Sequence, residues 1–173
     1  MNNRKTALLA LTVVVALMTL FVRVPLPTRG YFNVGDIAVV FAGLVLGSLG
    51  KERRFGWGAA AGGIGSALAD IIGGYAIFAP VTLIAKGLEG GLAALAAVDS
   101  PIRHYALLAL GGACMVATYF VAEALVPAFG GLQGAMTELL PNLIQAVGGI
   151  VGGRLTFAAY QRIIQGTARP QEG

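Results

Sequence analysis

The chain has 173 residues, 57% of them hydrophobic and 12% charged, with a mean hydropathy of +0.79, whereas a soluble domain carries roughly 25% charged residues. So few charges cannot cover a water-facing surface, and an interior of this size cannot hide the apolar remainder, so the composition argues against a soluble enzyme. The net charge of +4 comes from basic residues dispersed along the chain rather than clustered with aromatics, which argues against a nucleic-acid partner, and a lone Cys114 supports neither a disulfide framework nor a cysteine zinc site.

A bilayer core of about 30 Å needs about 20 helical residues. Six apolar stretches approach that length and predict an all-α integral membrane protein, a compact bundle of six transmembrane helices in one domain. The first covers 6–22, after Arg4-Lys5, and ends at Arg23 and the breaker Pro25-Leu26-Pro27. No small-x-small cleavage site follows Val22, so an uncleaved first helix is expected rather than a signal peptide. A loop over 23–35 leads to the second stretch, 36–49, whose uninterrupted apolar run is short enough to be tilted or re-entrant. The third, 55–73, follows the cluster Lys51-Glu52-Arg53-Arg54 and stops at Gly73-Gly74. The fourth, 76–98, is closed by Asp99-Ser100-Pro101, and the fifth covers 102–126. The sixth, 135–160, follows Gly130-Gly131 and precedes a polar tail, 161–173.

Placing both the N and C termini in the cytoplasm puts nine basic residues inside (Arg4, Lys5, Lys51, Arg53, Arg54, Arg103, Arg154, Arg162 and Arg169) against Arg23 and Arg29 outside. Lys51, Arg53 and Arg54 fall on the wrong side unless the second stretch crosses. Glycines recur four apart, as in Gly43 with Gly47, Gly58 with Gly62 and Gly149 with Gly153, a spacing that lets helices approach closely in lipid.

Polar residues within spans carry more information, because a charge at mid-bilayer costs roughly 3 kcal/mol even on lenient scales. Thr82, Lys86 and Glu89 share a stripe on the fourth helix, and Glu138, Asn142 and Gln145 share one on the sixth. Tyr119 pairs with Glu123 on the fifth and Ser66 with Asp70 on the third, most of them in the outer half. Each has two readings. Lys86 and Glu89 either neutralise one another or bind ligand. Asp36 is a helix N-cap or a ligand contact. Asp70 holds loop backbone or ligand, and Asn142 and Gln145 join helices or recognise ligand. Glu123 and Glu138 are solvated at the outer surface or line a site. His104 suits an interfacial place beside Arg103. No His pair or HExxH occurs, and Gly50-Lys51 lacks the Ser or Thr and the first glycine of a P-loop, so the chain is expected to hold no cofactor and to leave ATP to partners.

Four ordered stretches, GYFNVGD (30–36), GGIGSALADIIGGY (62–75), APVTLIAKGLEG (79–90) and PNLIQAVGG (141–149), resemble the S components of energy-coupling factor (ECF) vitamin transporters. The resemblance implies a subunit that captures a water-soluble vitamin or precursor from outside beneath a lid, here Arg23 to Asp36. It would associate with a transmembrane coupling subunit and two ABC-type ATPase subunits, and topple in a prokaryotic plasma membrane to release its cargo. The substrate residues it suggests are Asn33, Asp36, Asp70, Tyr75, Lys86, Glu89, Tyr119, Glu123, Asn142 and Gln145. The paired alanines that such subunits use for docking are replaced here by Thr6 with Ala10 and Thr12 with Ala16, and the charged stretch Lys51 to Arg54 stands where relatives have Gly-Pro. Ring stacking by Tyr31, Phe32, Tyr75, Phe78 or Tyr119 with amides from Asn33, Asn142 and Gln145 suits a flat heteroaromatic compound: pyridoxine-like, hydroxymethylpyrimidine-like or riboflavin. The alternative is a solitary secondary transporter or facilitator with Lys86 and Glu89 as relay; an intramembrane enzyme would need a carboxylate pair or His cluster at the membrane boundary.

Overall fold

A computed structural model of the chain describes residues 3–25 and 31–167. Its elements run α1 (Asn3–Phe21), β1 (Arg23–Pro25), β2 (Tyr31–Asn33), α2 (Gly35–Ser48), α3 (Arg54–Gly73), α4 (Ala79–Leu95), α5 (Pro101–Leu125), a 3-10 turn (Pro127–Phe129) and α6 (Gly131–Thr167). The chain is an all-α bundle, and α1, α3, α5 and α6 are long and apolar enough to cross a membrane. Lipid leaves a backbone no solvent partners, so helix is the form that satisfies it internally. Hydroxyls within the helices follow the same rule: Thr12 and Thr156 each donate to the carbonyl four residues back, at 2.8 Å.

The shortest helix is the most enclosed. At 14 residues α2 is about 21 Å long, yet eleven of those residues are buried because α1, α3, α4 and α6 all pack on it. A helix apolar all round belongs in a core, so α2 meets little lipid and its length is not set by bilayer thickness. Glycines let its neighbours close in. A Cβ on Gly43 would stand 2.6 Å from the Gly90 carbonyl oxygen, and one on Gly62 would stand 2.5 Å from that of Lys86. Such contacts give backbone proximity that larger side chains forbid. Outward, Leu9, Val13, Leu17 and Phe21 form one face of α1, and Leu132, Met136, Leu140, Leu143 and Val147 lie exposed along α6. That apolar exterior is a lipid-facing surface.

The two ends differ in chemistry. At one, Arg4 donates to the Gly50 carbonyl at 3.1 Å, and Arg54 donates to Gly50 and Ala97 at 3.0 Å each. The start of α1 and the loops after α2 and α4 thereby meet in a basic cluster. His104 joins this end, its Nδ1 2.6 Å from the Ala96 carbonyl oxygen. At the other end lie the β1–β2 hairpin, the turn after α3 and the 3-10 turn, with Phe78 stacked on Phe129 at 4.6 Å between centroids.

Three boundaries depart from the sequence expectation. The 23–35 loop is partly ordered as antiparallel strands pairing Arg23 with Asn33, Val24 with Phe32 and Pro25 with Tyr31; Val24, Tyr31 and Phe32 are of types that favour strands, and proline tolerates the edge. Residues 26–30 of that loop, with Arg29 and the first residue of GYFNVGD, lie outside the described residues, as do Arg169 and the rest of 168–173. The fourth helix begins at Ala79 rather than at residue 76. Gly74, at φ 87°, ends α3, and two turns follow, closed by Tyr75 N–H to Asp70 O and Phe78 N–H to Tyr75 O at 2.8 Å each. Helix resumes with Pro80 in its first turn. The sixth helix is longer than 135–160: Gly130 and Gly131, both with positive φ, turn the chain straight into it, and it continues through Arg162 to Thr167.

Candidate substrate-binding site

The close approach of α4 to α2 and α3 carries Lys86 into the bundle, where it is 3% exposed. Its ammonium donates to Asp36 of α2 and lies 3.6 Å from Glu89 Oε2, one turn along α4. Asp36 is therefore not a helix cap: Val34 occupies that position, with no side-chain cap bond. The Lys86–Glu89 pairing expected within α4 is present and is extended by Asp36, the nearer carboxylate, into an interhelical triad. The ammonium also sits 5.6 Å from the centre of the Tyr119 ring, and the Tyr119 hydroxyl donates to Thr82 at 3.0 Å.

The hairpin closes over this centre through polar contacts. The Asn33 backbone N–H donates to Gln145 Oε1 of α6 at 3.1 Å, and Gln145 Nε2 donates to Asn142 Oδ1 at 3.1 Å. The Asn33 side chain meanwhile accepts from Gly35 N–H at 2.6 Å, fixing the turn into α2. Tyr31 donates its hydroxyl to Asp70 of α3. Burial, reinforced by the negative charge of Asp70, pushes the Tyr31 phenol well above its ordinary range and keeps it a donor. Asp70 thus uses its side chain on the hairpin, and its backbone carbonyl, not its carboxylate, holds the loop at Tyr75. Arg23 lies over both Tyr31 and Tyr75, 5.7 and 5.2 Å from the ring centres, and the two rings are 4.5 Å apart.

Beneath the hairpin is a narrow cavity of about 30 Å³, wide enough for one or two waters. Of the residues named from sequence, Asn33, Asp70, Lys86, Tyr119, Glu123, Asn142 and Gln145 line it. Asp36 and Glu89 stand behind Lys86, and Tyr75 packs against Tyr31 in the hairpin clasp. Glu123 and Glu138 are 2% and 5% exposed, so the solvated reading does not hold. The lining also includes Tyr31, Phe78, Ser66, Thr82, Glu138 and Thr19. Of these, Tyr31, Ser66, Thr82 and Glu138 lie in stretches or stripes the sequence marks, and Phe78 is among its candidate stacking rings. Thr19 carried only a faint signal, a hydroxyl two helical turns from Thr12 in an apolar run. On α1, Thr6 and Ala10 face outward, whereas Thr12 and Ala16 are half-buried where α3 approaches, a Cβ on Gly65 falling 2.7 Å from the Thr12 carbonyl oxygen.

A membrane bundle with a polar chamber sealed from lipid, roofed at one end by a hairpin and basic at the other, is the architecture of a solute-binding membrane subunit. The chain belongs to the family described as ECF-type riboflavin transporter, S component, whose model matches residues 2–162. It is thus the substrate-binding membrane subunit of an ECF transporter rather than an enzyme, in a family that works with a membrane coupling subunit and ATPases. A curated protein of Pyrococcus woesei, described as an uncharacterized protein in a gap 3' region, is 39% identical over 153 residues, covering 86% of this chain and 96% of its own length. No solved structure matches the chain.

Proposed function

We propose that this subunit captures a small, flat heteroaromatic vitamin or vitamin precursor from outside the cell and passes it inward by toppling against the coupling subunit, driven by two ABC-type ATPases. One observation carries the reading: the chamber under the hairpin combines aromatic walls, Phe78 and Tyr119, with buried amides and carboxyls that lie at the end opposite the basic cluster. By the positive-inside rule the basic end faces the cytoplasm of a prokaryotic plasma membrane, so the chamber opens outward. The narrowness of the cavity fits a closed hairpin, which must lift for a ligand to enter. The matched family is named for riboflavin, and pyridoxine-like and hydroxymethylpyrimidine-like compounds have the same flat, polar shape at smaller size. The exposed Thr6 and Ala10 face of α1 is the proposed docking surface for the coupling subunit, with Thr12 and Ala16 continuing it toward α3.

Native mass spectrometry of the detergent-purified chain, followed by a thermal-shift panel of water-soluble vitamins, tests the capture role. A co-purified or stabilising vitamin is the expected result, and uptake of that vitamin should cease when the ATPase genes are deleted. Uptake that persists without ATPases would replace this reading with a solitary facilitator.

A further inference from the structure

A second cavity, of about 650 Å³, opens at the basic end and shares no lining residue with the chamber under the hairpin. It lies between the loops after α2 and α4, the start of α5 and the far half of α6. Three fixed cations line it, Lys51, Arg54 and Arg154, against one carboxylate, Asp99. Asp99 neutralises none of them by contact: the ion pairs among the described residues both belong to Lys86, in the other chamber.

The donors here are held by groups without charge, or by none. Arg54 gives Nε and Nη1 to the Gly50 and Ala97 carbonyls at 3.0 Å each, which fixes the guanidinium without neutralising it. His104, also in the lining, has Nδ1 2.6 Å from the Ala96 carbonyl oxygen, so that nitrogen carries the hydrogen and the ring is fixed in orientation. Its Nε2 and the Nε of Arg154 are buried with no hydrogen-bond partner. Buried polar nitrogens without partners are costly, and an anion rich in oxygens satisfies several at once. The 25-residue helix α5 starts at the same cavity with Pro101, and its cap residue Ser100 makes no side-chain bond, so its first turn adds a positive field there.

Membrane orientation does not require this arrangement. Lys5 and Arg103 serve it from the exposed surface at the same end, whereas Arg54 and Arg154 are half-buried around a space. Apolar walls adjoin the cations, Phe157 and Tyr105 among them, and Tyr105 is exposed together with Ile102, one turn before it on α5.

We infer that the cavity at the basic end is a binding site for a phosphate group, carried by an anionic phospholipid headgroup or by a soluble phosphate compound, with Lys51, Arg54 and Arg154 donating to its oxygens. The site is independent of the substrate carried.

Two measurements on the purified, delipidated full chain separate the sources. Native mass spectrometry titrates phosphatidylglycerol against diacylglycerol of the same acyl chains, which lacks only the phosphate headgroup. Thermal-shift measurements compare inorganic phosphate with chloride at equal ionic strength, so that general screening is held constant. Phosphatidylglycerol bound about 10-fold or more tighter than diacylglycerol identifies a lipid source; stabilisation by phosphate alone identifies a soluble one. In either case the pair Lys51→Gln, Arg154→Gln should weaken binding by about 10-fold or more. The pair Lys5→Gln, Arg103→Gln, which removes the same charge from the exposed surface, should change it by less than about 2-fold. No response to either probe, the outcome if an acidic segment of a partner subunit fills the cavity instead, overturns the inference, as do equal losses in both variant pairs. The probe comparisons use the unaltered chain, so a variant that fails to fold does not shelter the inference.

Discussion

Replacing Lys86 by Met should unsettle the whole bundle, and the structure gives the scale. The ammonium is the cation on both Asp36 and Glu89, each 1% exposed. Neither carboxylate has a reserve: Asp36 Oδ2 and both Glu89 oxygens make no other hydrogen bond. Breaking a buried ion pair by removing one partner costs about 3–5 kcal/mol, because the survivor stays buried and uncompensated. Two survivors here place Lys86→Met at the upper end, about 5 kcal/mol. Methionine retains the length and apolar stem of lysine, so little of that loss comes from packing. Reversible unfolding in mixed micelles, read alongside the thermal midpoint in detergent, measures it. The triple variant Lys86→Met, Asp36→Asn, Glu89→Gln removes every charge of the cluster and should recover most of the stability. If Lys86→Met alone unfolds within about 1 kcal/mol of the native chain, the cluster is not what joins α2 to α4, and the argument from buried charge fails.

Four further outcomes follow from single contacts. Gly43→Val drives a side chain into the Gly90 carbonyl and should cost about 1–3 kcal/mol of stability, seen as a lowered thermal midpoint, with no effect if α2 and α4 are not in backbone contact. Gln145→Leu leaves the buried Asn33 N–H without an acceptor and should weaken ligand binding by about 10-fold in calorimetry while expression and membrane insertion persist. Arg23→Gln removes the cation from over two tyrosine rings; at about 1 kcal/mol for such contacts, stopped-flow release of the bound vitamin should quicken by about 5-fold. The Tyr31 phenol titrates higher in the folded chain than in the unfolded one, so its contribution to stability is complete below pH about 10 and declines as pH rises beyond the unfolded value. Thermal midpoints from pH 8 to 11 should therefore fall more steeply for the native chain than for Tyr31→Phe, and parallel profiles would refute the buried bond to Asp70.

Much of the architecture is written in composition, because lipid imposes simple demands: long apolar runs become helices, and charges gather at their ends. What sequence periodicity misses is set by contacts between helices. The i, i+3 spacing of Lys86 and Glu89 suggests a pair within α4, yet the stronger partner is Asp36, fifty residues earlier, brought near only because Gly43, Gly62 and Gly90 let three backbones converge. The hairpin is likewise hidden, since three-residue strands are too short to show a period of two, and its register depends on Gln145 far away in α6. Thr19 reads as one hydroxyl among apolar neighbours until α1 is packed against the chamber.

The same convergence explains why a short helix stands at the centre. A helix facing lipid must match the hydrocarbon thickness, but α2 is sheathed by four others and can end where the chamber begins. Its first turn then supplies Asp36 to Lys86 from behind the chamber wall, and the chain before it, Val34 back to Tyr31, is already in place to form the roof. Lengthening α2 at its start by one turn would leave Asp36 with the packed helix but lift the hairpin by about 5 Å, breaking the Asn33–Gln145 bond. Inserting four residues between Val34 and Gly35 should therefore abolish ligand binding and destabilise the bundle together. The same insertion after Ser48, at the basic end, should leave binding intact; loss of binding from that end as well would show that the chamber is not built from the start of α2.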